Sequence, residues 1–125
     1  ARGIHMYKVM VEREFSAAHH INKYQGECQR LHGHNWRIQI IACSNILNEL
    51  GIVVDFRDME NALDKVIQPL DHQYLNQLSE FFDKNPTSEI IAEHIYTQLT
   101  LLFPNIPVTE VRVWETPTKY GAYCN

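Results

Sequence analysis

The sequence predicts an α+β fold: an antiparallel four-stranded sheet with two helices packed on one face. Three observations carry that expectation. Segments near both ends of the chain alternate apolar and polar residues with period two, the mark of half-buried strands. Two segments between them repeat apolar residues at spacings of three and four, the mark of amphipathic helices. Strands grouped before and after a helical pair favour an antiparallel sheet with its helices on one side.

The first strand is read over Tyr7 to Phe15, with Tyr7, Val9, Val11 and Phe15 inward and Lys8, Glu12 and Glu14 outward. The second runs from Asn35 to Cys43, with Trp36, Ile38, Ile40 and Ala42 inward. A polar loop from Asn22 to Arg30 separates them, too long for a tight hairpin. Asp55 or Asp58 caps a helix whose buried stripe is Phe56, Met59, Leu63, Val66, Ile67 and Leu70, and Pro69 ends it. Asn85 to Ser88 opens a second helix, with Ile91, Ile95, Leu99 and Leu102 buried and Pro104 as the stop. Val108 to Glu115 and Tyr120 to Cys124 complete the strands.

The chain has 125 residues, which is one domain on a length prior. Ala1 to His5 reads as a cloning remnant before a natural start at Met6, leaving residues 6–125 as a single domain. No stretch approaches the roughly 20 apolar residues of a membrane span. A net charge of −4 does not imply a nucleic-acid surface. Three cysteines at irregular spacing argue against a disulfide framework and fit a reducing cytoplasm. Cys43 and Cys124 read as buried small apolar residues.

The histidines are the informative feature. Four of the seven fall between His19 and His34. In an extended chain His32 and His34 point to the same face, on the parity of Trp36 and Ile38. His19 continues the parity of Phe15 and Ala17. If the first two strands pair, His19 joins His32 and His34 in a three-histidine set. Three neutral imidazoles suit zinc and leave a position for water or substrate. His20 has the opposite parity and is read as a non-ligand. His94, mid-helix, is read as a packed or solvated residue.

Other residues near this cluster carry chemistry. Cys28, four residues before His32, is either a fourth metal ligand or a thiolate base whose pKa the cation lowers. Asp71 and His72 form a carboxylate–imidazole pair past a helix end, although neighbours in regular structure rarely bond side chain to side chain. Glu115 shares the inward parity of Val111 and Val113. An inward carboxylate needs a partner, either an arginine such as Arg37 or Arg112 or a ligand presenting two N–H donors. Thr87, Ser88 and Glu89 open a helix as a cap with a favourable charge.

Together, F-S-A-A-H from Phe15, C-Q-R-L-H-G-H from Cys28 to His34, L-D-H from Leu70 with Y-L-N from Tyr74, N-P-T-S-E from Asn85 and W-E-T from Trp114 resemble the 6-pyruvoyltetrahydropterin synthase superfamily. The resemblance spans Met6 to Asn125. It implies the tunnelling fold and a homohexamer, a dimer of trimers, with sites at subunit interfaces. It implies zinc on His19, His32 and His34, with Cys28 as proton acceptor. Asp71 and His72 become a relay from a neighbouring subunit, and Glu115 the anchor of the pterin ring. Thr87, Ser88 and Glu89 would line the same pocket.

Three residues between Cys28 and His32 look like the bacterial 6-carboxytetrahydropterin synthase subgroup of queuosine biosynthesis. The implied substrate is 7,8-dihydroneopterin triphosphate, and the implied products are 6-carboxytetrahydropterin, acetaldehyde and triphosphate. The alternatives are triphosphate elimination without side-chain cleavage, as in the pyruvoyl synthases, and a zinc-stabilised binding module without catalysis. Lys23, Arg30 and Lys119 are the candidates for the phosphates.

Overall fold

The structure is a computed structural model that describes residues 5–22 and 30–125. Strands β1 (Tyr7–His19) and β2 (His32–Ser44) are followed by helix α1 (Phe56–Ile67) and a two-residue strand β3 (Gln73–Tyr74). Two short 3₁₀ turns precede helix α2 (Ser88–Leu102), then β4 (Val108–Thr116) and β5 (Lys119–Cys124). The sheet order is β3-β1-β2-β4-β5.

The α+β architecture is as expected, but the sheet has five strands rather than four. The extra one, β3, pairs parallel to β1 through only Ala17–Gln73 and Ala18–Tyr74. Two residues are too few to display a period.

The β1–β2 pairing is antiparallel and in continuous register from Tyr7–Ser44 to His19–His32. Both strands run further toward the intervening loop than their apolar alternation suggests. The added residues are the polar and histidine-bearing ones. Along β4 the register against β2 shifts between Ile41 and Ala42, which puts Val108 and Val111 on the same inner face despite their odd spacing.

The core is one cluster between the sheet and both helices. Phe15, Trp36, Ile38, Ile40, Val111 and Val113 supply the sheet side. Met59, Leu63, Val66 and Ile67 of α1 and Ile91, Ile95 and Leu99 of α2 supply the helix side. Asp55 caps α1, its side chain accepting from the Arg57 N–H. Thr87 caps α2 by accepting from the Ile90 N–H. The start of α2 presses on β5 so closely that a Cβ at Gly121 would meet Ser88 Oγ at 2.5 Å, so only glycine fits there.

Several sequence expectations are corrected. Phe56 and Leu102, at opposite helix ends, are exposed, because the first and last turns project past the sheet that covers the middle of each stripe. Tyr7, at the open end of the hairpin, is also exposed. Cys43 is half-buried, with its sulfur 3.3 Å from the Thr109 hydroxyl, and Cys124 is exposed on the edge strand. No helix among the described residues is long and apolar enough to cross a membrane.

Candidate metal centre

The inner face of the sheet changes character at one end. Along β1 the inward row reads Val11, Arg13 (paired with Glu60 and Asp64 of α1), Phe15, Ala17 and then His19; along β2, read backward, Ile40, Ile38, Trp36 and then His34 and His32; along β4, Val111, Val113 and then Glu115. Apolar residues give way to three histidines and a carboxylate at the same edge of the core. Register causes this, since His19 stands opposite His32 and Ala17 opposite His34.

The three imidazoles converge. One ring nitrogen from each of His19, His32 and His34 lies within 4.8 Å of the others. His19 is fully buried and the other two are half-buried. Trp36 walls the site, its ring centroid 4.9 Å from that of His19 and 5.0 Å from that of His34.

Hydrogen bonding decides which nitrogens face inward. His19 Nδ1 lies 2.8 Å from the Pro86 carbonyl oxygen, and His32 Nδ1 lies 2.7 Å from that of Arg30. A carbonyl only accepts, so each Nδ1 carries the proton and each neutral ring presents a bare Nε2. Those two Nε2 atoms are 3.0 Å apart. Two lone pairs at that distance repel unless a positive charge lies between them. Protonating a ring is opposed for His19, whose pKa burial pushes below its ordinary value against the opposing pull of the Pro86 carbonyl. Burial lowers His34 in the same way, and Glu115 offsets only part of it.

His34 Nε2 is buried with no hydrogen-bond partner, and an orphaned buried ring nitrogen calls for a partner. A metal cation satisfies all three nitrogens at once. Carbonyl-bound Nδ1–H groups are also the usual outer support of metal-binding histidines. Bonds of about 2.0–2.1 Å to a tetrahedral ion put ligand atoms about 3.3 Å apart, close to the 3.0 Å between the His19 and His32 Nε2 atoms and within reach of a set whose members all lie within 4.8 Å. The donor set therefore fits zinc.

Glu115 stands at the rim. Its Oε1 is 3.7 Å from His19 Nε2 and 4.0 Å from His34 Nε2. Neither arginine considered from the sequence takes it. Arg112 pairs with Glu110, and Arg37 stacks over the Trp114 ring and faces Glu12.

Asp71 and His72 lie elsewhere, on the edge of β1. Among the described residues His72 is the non-glycine residue with positive φ, at 60°. That left-handed turn folds the pair together, with His72 Nδ1 3.0 Å from Asp71 Oδ1, a contact regular structure would not permit. The two residues also clip onto Ser16. Asp71 accepts from the Ser16 N–H and the His72 N–H donates to the Ser16 carbonyl. The Ser16 N–H, with help from His72, holds the Asp71 carboxyl below its ordinary pKa. His72 is largely exposed and lines an open depression of about 500 Å³ that also reaches Gly33 and His34. No hydrogen bond or ion pair among the described residues joins this pair to the three histidines.

Thr87, Ser88 and Glu89 are where the cap reading puts them. Thr87 caps α2, and the Ser88 hydroxyl donates to Glu89. His20 is a non-ligand, bonded to the Tyr74 hydroxyl and to Asn22. His94 packs edge-on against Phe81, and burial lowers its pKa. Cys28 and Lys23 lie outside the described residues.

Sequence reasoning missed three contributors. The Pro86 carbonyl orients His19. The Asn76 amide takes both backbone groups of His20, and the Asn85 amide takes both of Asn22. Asn76 and Asn85 do sit in the Y-L-N and N-P-T-S-E motifs, but spacing alone gives no sign that they hold backbone.

The profile of a family described as 6-pyruvoyl tetrahydropterin synthase matches residues 8–125. The chain belongs to this family. A Synechocystis relative named 6-carboxy-5,6,7,8-tetrahydropterin synthase is 36% identical, over 94% of this chain and 93% of its own length. A Haemophilus influenzae protein of the same name is 28% identical, over 94% and 99% respectively. The Caenorhabditis elegans 6-pyruvoyl tetrahydropterin synthase structure superposes with a TM-score of 0.83 at 24% identity, covering 98% of this chain and 97% of its own. At that identity the likeness concerns the fold.

Proposed function

We propose that this family member is a zinc-dependent lyase that converts 7,8-dihydroneopterin triphosphate and one water to 6-carboxy-5,6,7,8-tetrahydropterin, releasing acetaldehyde and triphosphate, a step toward queuosine. The observation that carries the reading is the convergence of three imidazole nitrogens, two of them fixed as bare acceptors by backbone carbonyls. The names of bacterial relatives at 28–36% identity favour the carboxy product over the pyruvoyl one.

His19, His32 and His34 hold the metal, which when bound supplies Lewis acidity toward the side-chain hydroxyls of the substrate. Glu115, at the end of the β4 apolar row, accepts from the ring amino group and the adjacent ring N–H. A carboxylate that neither Arg37 nor Arg112 takes penalises rings that lack this donor pair. Trp36 keeps the inner wall dry, which strengthens that pairing.

Cys28 is the proton acceptor, and Asp71 with His72 is the relay. Because that pair sits on an outer edge, it suits a site completed by a neighbouring subunit. Thr87, Ser88 and Glu89 line the pocket from the α2 start. The open edges of β1 and β5 support assembly of residues 6–125 into trimers and a homohexamer, working in the cytoplasm.

The test is incubation of the zinc-loaded protein with dihydroneopterin triphosphate, followed by mass spectrometry. Acetaldehyde with carboxytetrahydropterin supports the reading. Pyruvoyl product without acetaldehyde moves the protein to the sister reaction, and unchanged substrate with bound pterin leaves a binding module.

A further inference from the structure

Glu115 has a geometric relation to the metal site that ring anchoring does not require. Its carboxylate accepts no hydrogen bond among the described residues, and its nearest basic neighbours are two of the three metal-site nitrogens. Oε1 is 3.7 Å from one and 4.0 Å from the other. Ligand atoms around a tetrahedral zinc are about 3.3 Å apart. Toward His19 and His34 the oxygen therefore stands less than about 1 Å outside the spacing of a fourth ligand, and it has to move closer to His32 to complete the set. A small rotation of an unbonded, partly exposed side chain covers that difference. The electrostatics favour the move. Three neutral imidazoles leave the full charge of a divalent cation in a half-buried site, and an adjacent carboxylate is the cheapest way to reduce it.

We propose that Glu115 is a shared ligand. In the empty site it closes the fourth position of the cation held by His19, His32 and His34; when a pterin ring arrives, the carboxylate turns to the ring's N–H donors and opens that position. This rests on the ring-anchor role proposed above and adds a consequence to it. Metal and ring compete for one carboxylate, so the cation becomes available only to a correctly seated ring. A ligand without the donor pair leaves the site closed.

The test uses the full chain loaded with cobalt(II), whose visible absorption reports coordination number and ligand type. Wild type should show an intense four-coordinate spectrum. Glu115→Ala should bind cobalt at the same stoichiometry, with a weaker, shifted band. Its affinity should be lower by at least the roughly 10- to 100-fold typical of losing a supporting group. Added acetate should restore the wild-type band in Glu115→Ala. Saturating pterin should change the wild-type spectrum by a separate route, releasing the carboxylate. A Glu115→Ala spectrum that superimposes on wild type overturns the proposal while leaving the three-histidine site intact. A sulfur-to-cobalt charge-transfer band assigns the fourth position to Cys28 and also overturns it. Failure of wild type to bind cobalt removes the underlying metal reading and the proposal with it.

Discussion

The metal centre and the Asp71–His72 clip both use histidine, and they are built in opposite ways. The centre sits where three apolar rows end, on regular strands, with rings fixed by backbone carbonyls and buried against Trp36. The clip sits on a sheet edge, depends on one left-handed residue, and leaves its imidazole mostly in solvent. The centre thus draws all three of its imidazoles from one chain. The clip makes no hydrogen bond or ion pair to the three histidines among the described residues, although His72 and His34 line one open depression. Burial and period mark the first, and a left-handed backbone and exposure mark the second.

The comparison breaks most sharply at the metal ligands. His32→Ala and His34→Ala should each lose zinc and turnover together, because each removes one of the three converging imidazoles. Metal analysis after dialysis against a weak chelator checks this. Zinc should also stabilise the wild-type fold, by about 2.7 kcal/mol at a free concentration 100 times the dissociation constant. A thermal shift with and without zinc, absent in both variants, reads that linkage.

Asp71→Asn should leave zinc content unchanged and reduce turnover by roughly the 10²–10⁴-fold typical of a misplaced acid–base group. Full turnover in this variant would make the clip purely architectural. The same variant has a pH signature. Asp71 in the fold lies below its ordinary 3.8. Its stabilising share is therefore present above that value and disappears as pH falls through the lower folded pKa. Wild type should therefore lose stability relative to Asp71→Asn as pH falls, the gap present at neutral pH closing below about pH 4.

How much of this was legible in the sequence follows from how regular each part is. His19, His32 and His34 were readable because a strand maps period onto face, and an antiparallel hairpin brings the two strands' histidines together. Glu115 was readable for the same reason, but its proximity to His19 and His34 was not, since that depends on the β2–β4 register. The contact between Asp71 and His72 was hidden because only the positive φ of His72 allows it. Strand β3 was hidden because two residues carry no period. The orienting carbonyl of Pro86 belongs to the backbone entry into α2, and no side-chain pattern encodes where that entry packs.

The smallest expected effect sharpens the contrast at the clip. His72→Gly should relieve the left-handed strain and change stability by about 1 kcal/mol in the favourable direction, while removing the exposed imidazole. Denaturant unfolding midpoints measure it. A loss of stability instead would mean that the imidazole–carboxylate contact outweighs the backbone strain.

The central claim is that three histidines on one face of a hairpin form a single zinc site. Zinc-edge X-ray absorption on the reconstituted protein tests it most directly, together with metal content per chain. The account predicts about one zinc per chain, with three nitrogen neighbours at about 2.0–2.1 Å and the multiple scattering of imidazole rings. A zinc shell dominated by sulfur, or the same shell and occupancy in His34→Ala, would contradict it.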